Sequence, residues 1–149
     1  MSITFGAVEN FHALPLAEAT AIIYDQLIPI CEKQKVKLSE YGNHNAWGSL
    51  VSVQKYEEKK AQKKLFDVPR IQSAFASIHE MIAVTSQYKT GSYGLKHVVE
   101  RLQGEYITNG DLIVAMLMRG HTARFGKRGQ GLNVNCEFKV KVIVGEEKE

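Results

Sequence analysis

The chain has 149 residues, 44% of them hydrophobic, with Lys+Arg 19 against Asp+Glu 16 and a formal net charge of +3. This is enough apolar material to bury one core, so residues 1–149 are expected to form a single domain, and a compositionally disordered chain is excluded. So mild a charge balance selects no partner, and only the placement of the charge is informative.

The N-terminal MSITFGAVENF has neither the basic n-region nor the apolar run of a signal peptide. No apolar stretch approaches the ~18 residues of a bilayer span, so no membrane partner is expected and the interior of a cell is the default location. Cys31 and Cys136 lie far apart, in apolar patterns and outside any CxxC cluster. They are expected as buried free thiols.

Ile3, Phe5 and Ala7 alternate with Ser2, Thr4 and Gly6, the period of a short strand. Pro15 suits a helix first turn, and a helix is expected over 16–35 on the stripe Leu16, Ala19, Ile23, Leu27 and Ile30. Pro29 falls inside that pattern, which predicts a kink or an end near Ile28. Residues 39–47, with Gly42, Asn43, His44 and Asn45, read as a loop. A helix follows over 48–65, heavily charged in its second half. Asp67 can cap the next helix, with Pro69 in its first turn. Ile71, Phe75, Ile78 and Ile82 then recur at helical spacing.

Leu95, Val98, Val99 and Leu102 define a further helix, ended by Gly104. Thr108-Asn109-Gly110-Asp111 fits a capping box, in which the Thr108 hydroxyl serves the amide three residues on and Asp111 reaches back. The helix it starts, 111–118, is apolar all round and belongs in the core. Gly120 stops it. From Leu132 the period changes to two: Leu132, Val134, Cys136, Phe138, Val140 and Val142 alternate with polar residues. One half-buried strand is expected over 132–144. It has no obvious partner in the same chain, and unpaired backbone groups are costly when buried. The N-terminal strand, a short undetected strand or another copy of the chain would have to supply one. The fold expected is helix-dominated α+β: an N-terminal helical part over 1–90, a helical hairpin over 91–120, a basic Gly-rich connector over 121–131, and the C-terminal strand in a small antiparallel sheet.

The connector and its approach carry the clearest chemistry. RGHTARFGKRGQG, residues 119–131, holds Arg119, Arg124, Lys127 and Arg128 with His121 and no acid. Its glycines let a backbone approach a ligand closely, Phe125 is placed to stack on a base, and the cations would neutralise phosphates without reading sequence. The bland reading is a solvated connection. The two-helix spacing before it suits a helix-turn-helix, but an apolar second helix has no polar side chains for base edges. KYEEKKAQKK, residues 55–64, interleaves Glu57 and Glu58 with its cations, as solvated faces do. His97 and Glu100 sit one turn apart, as a surface pair would. Gly91-Ser92-Tyr93-Gly94 precedes a helix and reads as a helix-start turn. No HExxH, GxSxG, P-loop or GxGxxG is present, so neither metal, cofactor nor enzymatic activity is expected.

SYGLKHVVE (Ser92–Glu100), YITNGDLIVAML (Tyr106–Leu117) and NCEFKV (Asn135–Val140) together resemble a pattern in short, uncharacterised proteins of large double-stranded DNA viruses and tailed phages. The resemblance covers the last third to half of the chain. It implies a viral origin, in host-cell cytoplasm or virion, and carries over no catalytic residue. The function expected is non-enzymatic binding of nucleic acid or phosphate groups through Arg119, His121, Arg124, Phe125, Lys127 and Arg128. The alternatives are a structural virion component or oligomeric adaptor, joined through the C-terminal strand or facing an acidic protein surface, and an inhibitor of a host defence component.

Overall fold

A computed structural model describes residues 2–43, 53–126 and 134–144. Its centre is helix α6, Asn109–Met118, in which every residue is buried. From Leu112 to Met118 it is apolar all round and has no face to give to water, so other elements must enclose it. Helices α4 (Val68–Ile78) and α5 (Ser92–Gln103) pack directly on it. The buried residues of the described segments form one apolar cluster.

The helix ends follow local sequence where a side chain can close them. Thr108 Oγ1 accepts from the Asp111 amide at 3.0 Å, starting α6. Asp67 Oδ1 accepts from the Arg70 amide at 3.2 Å, starting α4, with Pro69 in the first turn. Gly104 ends α5 at φ +74°, its amide donating to the Glu100 carbonyl. The capping box closes only on the threonine side. Asp111 Oδ1 accepts instead from the Asp67 amide at 3.1 Å, because α6 starts inside the core beside the 65–67 segment.

The first long helix decides one half of the expectation for Pro29, since it does not end near Ile28. It runs as α1 (Leu16–Ala21), a π-helical stretch Ile22–Leu27, and α2 (Ile28–Lys33). A proline in a regular α-helix lacks the i−4 hydrogen bond and clashes with the carbonyl four residues back. The wider turn just before Pro29 absorbs this, and the helix passes through it without ending at Ile28. Helix α3, Val53–Ala61, lies within the expected 48–65.

Ile82 is also placed differently. Helix α4 ends at Ile78, and Ile82 opens the strand Ile82–Val84. Its spacing from Ile78 fits the helical period, but pairing with the C-terminal segment prevails. That segment is two strands, Glu137–Phe138 and Val140–Val142, split at Lys139. Alternation nevertheless persists, with Cys136, Phe138 and Val140 buried and Lys139 and Lys141 exposed. The two strands have different partners. Glu137–Phe138 lies between Ala123–Arg124 and Thr90–Gly91 in an antiparallel four-stranded sheet whose outer strand is Ser2–Ile3. Val140–Val142 pairs with Ile82–Val84. The missing partners are therefore strands of two or three residues in the same chain, too short to show a period. This removes the structural reason for recruiting another copy. Leu132 and Asn133 lie outside the described residues.

Of the loop expected over 39–47, residues 44–47 lie outside the described residues, and in the rest Leu38–Ser39 and Gly42–Asn43 form a hairpin. It presses on the start of α6, where the Gly110 amide donates to the Glu40 carbonyl at 2.9 Å. A Cβ on Gly110 would lie 1.7 Å from the Ser39 carbonyl oxygen, so only glycine permits this approach.

Candidate functional site

The basic segment leaves the C-terminal end of α6 and turns at once at Gly120, φ +95°. Arg119 folds back onto α4. Its Nε donates to the Phe75 carbonyl at 2.8 Å, Nη2 donates to the same oxygen, and Nη2 lies 3.0 Å from His79 Nδ1. The guanidinium sits 4.0 Å from the Phe75 ring centroid. A cation at the carbonyl end of a helix is favourably placed, so Arg119 closes α4.

Arg124 is also engaged. It stands directly across from Glu137 in the sheet, and its Nη2 meets Glu137 Oε1 at 2.5 Å. Its guanidinium carbon is 4.1 Å from the Tyr88 ring centroid. Phe125 is 0% exposed. Its ring belongs to the core, which corrects the expectation that it stacks on a base. The connector is likewise not all connector, since Ala123–Arg124 is a sheet strand. Lys127 and Arg128 lie outside the described residues.

What the fold brings to the segment is a cleft of about 480 Å³, lined by Thr85, Tyr88, Arg119, His121, Thr122 and Lys139 among others. No acid is among its described lining residues. One wall is the 85–89 connection, which bulges opposite Lys139. The Thr85 amide donates to the Lys139 carbonyl at 2.8 Å, and the Lys89 amide to the Phe138 carbonyl at 3.1 Å. This connection carries Tyr88, half-buried in the wall of the cleft. Lys139 Nζ approaches the same ring, 5.1 Å from its centroid. His121 is half-buried, and burial together with the Arg119 charge holds it below its ordinary value and favours the neutral ring.

Sequence reasoning therefore found Arg119 and His121 but missed Thr85, Tyr88 and Lys139. Lys139 had a signal, as an outward position in an alternating run. Tyr88 had none, because its role depends on a bulge set by pairing with a distant strand.

The other sequence candidates find structural roles. Lys60 meets Glu32 at 2.8 Å and Glu57 at 3.1 Å, so the charged helix is laced with ion pairs. His97 meets Glu100 at 3.3 Å on the surface, as expected. Ser92, at the start of α5, is buried and its Oγ accepts from the Cys136 amide at 3.1 Å. Cys31 and Cys136 are buried and free, and burial pushes the Cys31 thiol up to about 12. Among the described residues no group of three or more His, Cys, Asp or Glu could hold a metal ion. No described helix is long and apolar enough to cross a membrane.

Asp111, read from sequence as a helix cap, is also a buried acid. Asp111 is 0% exposed, its Oδ2 has no hydrogen-bond partner, and burial raises its pKa to about 7. It lies behind the 65–67 segment, which lines a second cleft of about 450 Å³ with Glu40 and Thr20.

No family model, curated protein or solved structure matches this chain.

Proposed function

We propose that the protein binds the phosphate groups of nucleic acid, without catalysis and without reading sequence. The binding surface is the cleft lined by Arg119, His121 and Lys139; Lys127 and Arg128 belong to the same basic segment by sequence and lie outside the described residues. One observation carries this reading: cationic and hydroxyl-bearing side chains share a cleft with an aromatic ring, and no acid is among its described lining residues. Backbone phosphates are attracted by such a surface whatever the base order, and binding releases counterions. Arg119 and Arg124 hold the cleft in shape, while Lys139 meets the ligand. A viral setting rests on the resemblance of the C-terminal part alone.

Titrating the native protein with a labelled oligonucleotide at rising salt tests the reading. With about three phosphates neutralised, by Lys127, Arg128 and Lys139, the slope of log K against log salt on a single strand should be roughly −2. A salt-independent affinity, or no binding at low salt, would overturn it.

A further inference from the structure

The cleft has features that phosphate contact alone does not use. Its volume of about 480 Å³ suits a small planar group with its attached phosphate. Tyr88 stands half-buried in its wall. Arg124, tied to Glu137, covers the Tyr88 ring at 4.1 Å and holds it in place. Lys139 also lies over the ring, at 5.1 Å, but it is exposed on a flexible stem and no salt bridge of the described residues includes it. Of the two cations, Lys139 is the one a ligand can displace. A base sliding onto Tyr88 would move the ammonium off the ring and leave it beside the phosphate of the same nucleotide.

A duplex cannot use this arrangement. Its bases are stacked inward and it offers a concave cleft only its phosphate ridge. A single strand can turn a base out and stack it on an aromatic ring, a contact that tolerates any base because each has a π face. Resting on the phosphate-binding reading above, we infer that the ligand is single-stranded nucleic acid, with one base stacked on Tyr88 and its phosphate met by Lys139 at the His121 and Thr122 side of the cleft.

The test compares three probes on the native protein and on Tyr88→Leu and Tyr88→Phe: an all-thymidine single strand, a duplex of equal charge, and inorganic polyphosphate. Circular dichroism shows whether each variant folds. The native protein should favour the single strand over the duplex by about tenfold. Tyr88→Leu should lose about tenfold on the single strand and nothing on polyphosphate, and Tyr88→Phe should behave as native. Equal affinity for strand and duplex, or an unchanged single-strand affinity in a folded Tyr88→Leu, would overturn the inference and leave phosphate binding standing. Failure of the native protein to bind any of the three probes would overturn both.

Discussion

The two ends of α6 put opposite charges to similar use. At the N-terminal end Asp111, expected as a cap facing its own helix, is enclosed and takes its hydrogen bond from Asp67 across the core. At the C-terminal end Arg119, expected as a free cation, folds back and closes α4 through the Phe75 carbonyl. Both charges serve the packing of neighbouring elements. The side chains we propose to meet a ligand, Tyr88 and Lys139, sit one step away. A charged residue that follows directly from a buried helix is therefore more readily an anchor than a binding group, because it lies within reach of the ends of adjacent helices.

That contrast can be broken at several points. The largest expected effect is at the buried end. Gly110→Ala would drive a methyl group into the Ser39 carbonyl, and chemical denaturation should show a loss of about 3 kcal/mol or more. If the hairpin is free to move away from α6, the loss will be small.

Asp111 comes next. Its carboxyl titrates near 7 in the fold against an ordinary 3.8. Between those values the folded chain keeps a proton that the unfolded chain has lost. The contribution of Asp111 to stability is thus fully present below about pH 4 and falls as pH rises to 7, by roughly 4 kcal/mol. Glu32 and Glu100 act in the opposite sense. Despite their burial, hydrogen bonds from Lys60 and Lys96 hold them below an ordinary 4.5, so their contribution is present above that value and lost as pH falls through it. The native midpoint should fall between pH 5 and 7, and in Asp111→Asn that fall should vanish, leaving the rise that His121 contributes because the fold holds it below its ordinary value. A native protein whose midpoint rises over that range would contradict the placement of Asp111.

Arg119→Ala should cost about 2 kcal/mol of stability, the value of hydrogen bonds from a charged donor to a carbonyl. Lys139→Ala should change stability by less than about 0.5 kcal/mol, as exposed substitutions do. Thermal melts of the pair separate anchor from binding group. Equal melting temperatures would remove the distinction.

Much of the helical layout was legible. Asp67, Gly104 and Thr108 mark helix ends through local hydrogen bonds, and the apolar run of α6 could only be buried. The helix-dominated α+β class follows from those elements and the alternation after Leu132. Features set by distant partners were not legible. The strands pairing with Glu137–Phe138 and Val140–Val142 have two or three residues each, and Ile82 fits a helical and an extended period equally well. The site divides in the same way. The charge of the basic segment was visible, but the engagement of Arg119 and Arg124, the burial of Phe125 and the placement of Tyr88 are products of tertiary contact.

The central proposal is that Lys139 of the cleft, with Lys127 and Arg128 of the basic segment, meets phosphate while Arg119 and Arg124 hold the fold. Its most direct test is salt titration of single-stranded oligonucleotide binding by the variant Lys127→Ala/Arg128→Ala/Lys139→Ala beside the native protein. The variant should fold as native, bind at least about tenfold more weakly at low salt, and show a slope of log K against log salt shallower by about 2. A folded variant with native affinity and native slope would contradict the claim.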